Sequence, residues 1–464
     1  MNGMQKKMTR ASLIVFLVGL LLASCAVGPE YQRPQMDLPT DYKESGRWKT
    51  AQPEDESPRG PWWTIFADKD LDRLMEILDR QNFSIEQAEA QFRQSQALLR
   101  EARAGLSPTL SPTASATHGV STPGANIGNQ YSLGVSAGWE MDIWGSVRRA
   151  IEAGEAKQAA SASQIAAVRL SSQGQLAGAY LQLRVADRQL EQLQASEETL
   201  RQTLTITGNQ YAAGIVSQAS VALAESQLKA AQAQRLQKQL GREQLEHGIA
   251  VALGLTPADF SLPPTTSIPR LPQIPAGLPS TLLQRRPDIA VAERNMAGAN
   301  AQIGVATAAY FPVLTLSASG GYRSTTLLDW INVPNRIWSL GPQLAGTFFD
   351  GGLRSAKTDE AIAVYDASVA SYRQTVLNAL QAVEDNLSAQ YLLAQEADAQ
   401  QAAVDAAIRA ENITLNQYRA GTVGYLGVLA AQNTRILAES TLWNIKNNQY
   451  TSSIALINAV GGSW

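Results

Sequence analysis

The sequence predicts a mixed α and β membrane protein, built from two copies of one unit: a pair of strands followed by a very long helical hairpin. Three observations carry that expectation. The first is a duplication. NQYAAGIVSQASVALAESQL from Asn209 matches NQYRAGTVGYLGVLAAQNTR from Asn416 without a gap, so Tyr211 and Tyr418, Gly214 and Gly421, and later Gly254 and Gly461 all stand 207 positions apart. AGLSPTLSPTAS from Ala104 likewise matches AAYFPVLTLSAS from Ala308 and aligns Pro108 with Pro312. The second is strict alternation in YSLGVSAGWEMDIW, with Tyr131, Leu133, Val135, Ala137, Trp139, Met141 and Ile143 on one face and Ser132, Gly134, Ser136, Gly138, Glu140 and Asp142 on the other; period two is the mark of a strand with one apolar side. The third is a heptad over proline-free sequence. Leu176, Leu183, Leu190, Leu204 and Tyr211 make one row, broken at Glu197, and Ala179, Ala186, Leu193 and Leu200 make a second. A sustained 3.5-residue period predicts left-handed supercoiling of long helices.

The elements follow in order. Lys6, Lys7 and Arg10 precede the apolar run Leu13 to Leu22, so residues 1–24 read as a secretory signal, too short to remain as a spanning helix. Cys25 is the only cysteine, which excludes an internal disulfide. Leu22-Ala23-Ser24-Cys25 resembles the bacterial lipobox, implying that Cys25 is acylated and becomes the first mature residue; Ala26 in place of Asp favours the outer membrane by the same resemblance. Residues 25–60 then form a Pro-rich lipidated strap.

The first repeat spans 61–260: a helix from Leu71 to Ala104, a β-hairpin over 109–143 and a helical hairpin over 148–254 that turns at Tyr211 to Gly214. A Pro-rich linker, 261–286, leads to the second repeat, 287–464, with a helix from Pro287 to Ala309, a β-hairpin over 313–349 and a helical hairpin over 354–461 that turns at Gly421. Strands of this length suit a tilted bilayer crossing, yet four cannot close a barrel, and an open edge in lipid strands backbone groups at several kcal/mol each. The chain must therefore oligomerise. Trp139, Trp144, Trp338, Phe348 and Phe349 fall at strand ends, where interfacial aromatic girdles belong.

Composition narrows the chemistry. Net charge is −3 with only 17% charged residues and no basic face, which argues against nucleic acid. The two histidines, His118 and His247, have no ligand spacing around them, and no catalytic motif is present. Glu140, Asp142 and Asp350 read as strand-to-helix junctions rather than acid–base pairs, and Met36, Met75, Met141 and Met296 are too scattered for a soft-metal ladder.

GPWWTIFADKDLDRL (Gly60 to Leu74), the run from Gln284 to Tyr322 that opens QRRPDIAVAERN, FFDGGLRSA (Phe348 to Ala356) and the two Tyr-x-x-Gly turns together resemble the TolC-like outer membrane factors, in particular the OprM/NodT-type lipoprotein branch. That resemblance covers nearly the whole chain after the signal. It implies a homotrimer in the outer membrane of a Gram-negative bacterium, whose twelve-stranded composite β-barrel continues into a twelve-helix coiled-coil α-barrel in the periplasm. It implies the exit duct of a tripartite efflux pump, docked on a periplasmic adaptor and an inner-membrane transporter of RND type, with no cofactor beyond an N-acyl, S-diacylglycerol lipid on Cys25. Adaptor docking maps by motif to Tyr211, Gly214 and Ser217 and to Tyr418 and Gly421; the pore constriction maps to Val423, Tyr425, Leu426 and Ser220. Some relatives carry an acidic pair after the second turn, where this chain has Gly427 and Ala430, and their turn tyrosine meets a polar group on the facing hairpin, here Ala219 or Ser220. A protein-secretion duct and a non-conducting structural envelope lipoprotein are the alternatives, and the cargo is not fixed by sequence.

Overall fold

The computed structural model describes residues 26–34, 41–43, 60–120, 127–272, 274 and 285–462. The signal, Cys25 and most of the strap lie outside the described residues.

The first helix of the sequence reading is two. Helix α1 (Lys69–Gln81) buries Leu71, Leu74, Met75 and Leu78, one i, i+3, i+4, i+7 stripe. Its N-cap Asp68 accepts from the backbone N–H groups of Asp70 and Leu71. Helix α2 (Phe83–Ala104) follows after a single break. Asn82 makes the break with an extended backbone (φ −72°, ψ 119°): its N–H closes α1 on Leu78 O, its Oδ1 caps α2 by accepting from Ile85 N at 3.0 Å, and its Nδ2 donates to the distant Ala252 O at 2.7 Å. Periodicity alone runs through such a one-residue interruption.

Strands β1 (Thr109–Val120) and β2 (Ile127–Met141) come next, then helices α3 (Ser146–Ala212) and α4 (Gln218–Ala252). The second copy gives α5 (Pro287–Ala308), β3 (Val313–Ser324), β4 (Arg336–Ala345), α6 (Leu353–Arg419) and α7 (Tyr425–Ala459). Adding 207 to the bounds of α3 and α4 reproduces those of α6 and α7, and adding 204 to those of α2 and β1 reproduces α5 and β3. The duplication is thus literal at the level of elements. The 67 residues of α3 extend about 100 Å at 1.5 Å per residue.

The four strands form one antiparallel sheet in the order β1-β2-β3-β4. Strand β4 stops at Ala345 rather than 349, since Ala345 pairs with Val313, the residue after Pro312. Pro312 has no N–H to continue the ladder. Phe348 and Phe349 consequently lie in the connection after the strand.

Two compact units divide the chain, and they do not coincide with the two repeats. One comprises 1–36, 90–163 and 289–374; the other comprises 37–89, 164–288 and 375–464. In the first, residues 26–34 run extended along the helices. Val27 N donates to Trp144 O at 3.0 Å, Arg149 Nε donates to Val27 O at 3.1 Å, and Asn300 Nδ2 donates to Pro29 O at 3.0 Å. Gly28 holds φ +101°, and a Cβ there would stand 2.5 Å from Gly304 Cα, so only glycine allows this approach.

In the second unit the heptad rows become core: Leu176 and Leu183 are fully buried and Leu200 nearly so. Glu197, which interrupts the first row, is buried as an acceptor for Arg201, Gln232 and Arg235. Hydrogen bonds from Gln232 and Arg235 hold its carboxyl below the usual range. The start of the linker is clamped by a second buried cluster. Arg184 donates to Pro263 O at 3.0 Å, Asp187 accepts from Arg184, Arg242 and Thr265 N, and Arg242 reaches Leu262 O and Glu246.

Candidate functional site

Strand register decides which side chains share a face of the sheet. Ala116, Ala114, Pro112 and Leu110 of β1 pair with Tyr131, Leu133, Val135 and Ala137 of β2. Leu133, Val135, Ala137, Trp139 and Met141 pair in turn with Tyr322, Gly320, Ala318, Leu316 and Leu314. Those last four pair with Trp338, Leu340, Pro342 and Leu344. One face is therefore apolar from edge to edge except at Arg336, which pairs with Tyr322 near the loop end. The other is built from Thr109, Ser111, Thr113 and Ser115, then Ser132, Gly134, Ser136 and Gly138, then Thr315, Ser317, Ser319 and Gly321, then Ser339, Gly341 and Gln343. Hydroxyls on this face meet across strands, Ser115 with Ser132 at 2.6 Å and Ser319 with Ser339 at 2.8 Å.

The apolar face is bare. Leu110 is 72% exposed, Trp338 76% and Leu340 66%. Leaving such side chains in water forgoes about 1.5–3 kcal/mol each, so the face is built for an apolar solvent. Among the described residues no helix is long and apolar enough to cross a membrane. Strands β1 and β4 each have a neighbour on one side only, which leaves two edges to be paired.

The ends of the sheet are aromatic. Trp139 Nε1 donates to Leu106 O at 3.0 Å, and Trp144 Nε1 donates to Pro312 O at 2.8 Å while its ring stacks on Phe311 at 4.5 Å. Phe348 is fully exposed and Phe349 largely so, just beyond β4. At the opposite end Tyr131 touches Trp330 at 5.9 Å, and Trp338 lies near the start of β4. Of the three junction carboxylates, Glu140 stays exposed within β2, while Asp142 and Asp350 are occupied in capping. Asp142 accepts from Val147 N and Arg148 N at 3.0 Å, and Asp350 accepts from Gly352 N at 3.0 Å and from Arg354. The Arg354 hydrogen bond holds the Asp350 carboxyl below its ordinary value. Gly145, Gly351 and Gly352 adopt positive φ at these bends.

The helical turns form a second region, within the second compact unit. Gly214 (φ +74°) and Gly421 (φ +75°) end α3 and α6 in the left-handed conformation, with Gly214 N donating to Tyr211 O at 2.9 Å and Ile215 N to Gln210 O at 2.8 Å. Thr422 N repeats the latter bond to Gln417 O at 3.0 Å. This pairing satisfies terminal carbonyls, and glycine is the residue that adopts it freely.

The two turn tyrosines differ. Tyr211 is 47% exposed, whereas Tyr418 is 2% exposed and packs with Ala224, Tyr425 and Val428. The Tyr418 hydroxyl bonds Thr207 Oγ1 at 2.9 Å and its carbonyl accepts from Gln210 Nε2. The expected partner, Ala219 or Ser220, is therefore corrected to Thr207 on α3. The ring turns inward to fill the core cluster, which brings its hydroxyl to α3, while the Ser220 hydroxyl meets Ser217 at 3.4 Å. Tyr425 belongs to the same core, its hydroxyl pushed up to about 12 by burial and by Tyr418. Leu426 is 69% exposed and Val423 half-buried.

One group escaped the sequence reading. Glu411 on α6 pairs with Arg435 on α7, which also reaches Glu439 at 3.3 Å and Ser196 Oγ at 3.2 Å, and Gln432 donates to Thr203 Oγ1 at 3.1 Å. Burial pushes the Glu411 carboxyl up, and Arg435 only partly offsets this. The signal was available: 207 positions earlier stand Leu204, Leu228 and Gln232. The first copy packs Leu204 and Leu228 in an apolar cluster where the second has charges.

A family model described as outer membrane efflux protein matches residues 74–255 and 278–462, the two repeats in turn. The chain belongs to the outer membrane efflux protein family. The probable efflux pump outer membrane protein TtgC of Pseudomonas putida is 31% identical over 98% of this chain and 96% of its own length. The cation efflux system protein CusC of Escherichia coli is 27% identical over 98% of this chain and all of its own. Among solved structures, the outer-membrane channel OprN superposes with a TM-score of 0.85 at 30% identity, covering 95% of this chain and all of that one. This outer membrane efflux protein has the fold of those channels, and its two-faced sheet is the part suited to the membrane.

Proposed function

We propose that three copies of this outer membrane efflux protein close a twelve-stranded barrel and a twelve-helix tunnel, forming the exit duct of a tripartite pump. The observation that carries the reading is the sheet: an exposed apolar face, a hydroxyl-lined face and two unpaired edges. Four strands cannot close on themselves, while edge pairing of β4 with β1 of another copy removes every open edge. Transport then needs no chemistry from the wall, only water, width and access. Relatives named for toluene, antibiotics and cations support small toxicants as cargo.

The turns at Tyr211, Gly214 and Ser217 and at Tyr418 and Gly421 take the periplasmic adaptor, with an RND-type transporter beyond it, and Val423, Tyr425, Leu426 and Ser220 surround the constriction. The exposure of Leu426 supports a contact with other copies there, whereas Tyr425 is buried and acts through the core beneath it. Cys25 carries the lipid anchor. Purified protein in planar bilayers tests the reading: a cross-linkable trimer with discrete conductance steps is expected, together with loss of toxicant export on deletion. A trimer that never conducts, or a monomer, overturns it.

A further inference from the structure

Along the polar face of the four strands only two residues carry charge. Glu140 lies opposite Thr315, at the end of the sheet that joins the helices, and Arg323 lies opposite Ser132, at the end nearer the hairpin loops. Both side chains are exposed, and among the described residues neither has an ion-pair partner. From Thr315 to Arg323 along β3 is about 26 Å at roughly 3.3 Å per residue. Between them the face carries hydroxyls, glycines, the Gln343 amide and one apolar side chain, Ile337, opposite Gly321. Arg336, the other cation at that end, sits on the opposite, apolar face beside Tyr322.

We infer that Arg323 is a specificity-determining residue of the exit: one copy from each protomer forms a basic collar inside the outer mouth, opposed by an acidic collar of Glu140 at the base. The basic collar concentrates anionic solutes at the outer mouth and depletes cations there. This rests on the barrel proposed above. The uncharged wall between the collars supplies no countercharge, and the surrounding bilayer focuses the field into the lumen. In water, one charge about 6 Å away biases a monovalent solute roughly threefold, so an anion and a cation separate by about tenfold. Screening acts over about 10 Å at 0.1 M salt and about 3 Å at 1 M, which confines the effect to low ionic strength.

The test uses Ser132→Cys, directly across from Arg323, in full-length trimers reconstituted in vesicles, with thiol reagents of equal size bearing a sulfonate or a trimethylammonium group. Ser115→Cys, paired with Ser132 on β1, is the second reporter should the first disturb assembly. The expected result is an anion-to-cation rate ratio that falls about tenfold with Arg323→Gln at low salt, is unmoved by Glu140→Gln, and is equal for all variants at 1 M salt. A ratio indifferent to Arg323→Gln overturns the collar. A thiol that neither reagent reaches in folded trimers means instead that this face does not line water, and the barrel reading itself fails.

Discussion

Arg435→Leu is the most informative single change in the helical hairpins. In the native chain Arg435 lies between Glu411 and Glu439, and the side chains of all three are at least 85% buried. Removing the cation leaves two carboxylates facing each other away from water, which costs about 3–5 kcal/mol when one partner of a buried pair is lost. The chain supplies its own control, because the equivalent positions of the first copy are Leu204, Leu228 and Gln232. Copying that set with Glu411→Leu, Arg435→Leu and Glu439→Gln together removes the charges and restores apolar packing, an exchange that ranges from neutral to stabilising. The deficit of Arg435→Leu also depends on pH. Folding already raises the Glu411 carboxyl above its ordinary 4.5, and losing Arg435 raises it further. A raised acid contributes stability that is present below the unfolded value and lost as pH rises through the folded one. The single variant is therefore weakest at neutral and alkaline pH and recovers as pH falls toward 4.5. Urea unfolding of the purified protein, followed by circular dichroism, measures this. An Arg435→Leu protein as stable as the parent, or a triple variant as damaged as the single one, refutes the reasoning.

Other outcomes follow from the same geometry. Gly214→Ala loses only about 1–2 kcal/mol from its left-handed backbone, since nothing lies near its Cβ, whereas Gly254→Ala (φ +73°) also drives a Cβ to 2.5 Å from Gln81 O and yields little folded protein; expression and thermal midpoints separate the two. Asp187→Asn leaves Arg184 and Arg242 without their shared carboxylate and costs about 3–5 kcal/mol, with proteolysis after the released linker as the readout. Tyr418→Phe and Thr207→Val each cost about 1 kcal/mol, and the double variant costs less than their sum, as a double-mutant cycle by urea unfolding shows. On the proposed reading, Cys25→Ser removes an acyl modification, read by mass spectrometry, while the proposed trimer still forms in detergent.

Much of this was legible because two periodicities and one repeat dominate the chain. Alternation in Tyr131 to Met141 fixed the apolar face of β2, and the 207-residue offset carried α3 and α4 onto α6 and α7. What escaped depends on single residues or long-range contacts. Asn82 splits a helix that periodicity runs through, and Pro312 ends β4 through its place in a neighbouring strand. Tyr418 and Tyr211 share a motif yet diverge in burial, because the cores beneath them differ. The ion clusters of Asp187 and Arg435 join residues far apart in sequence, so their charges look like solvated faces until the helices are paired.

The central claim is that this sheet separates lipid from water. A cysteine scan from Tyr131 to Glu140, read in intact cells with a membrane-impermeant polar thiol reagent, tests it most directly. Ser132, Gly134, Ser136, Gly138 and Glu140 should label, and Tyr131, Leu133, Val135, Ala137 and Trp139 should resist the polar reagent but react with a lipid-soluble one. Labelling without a two-residue period would contradict the account.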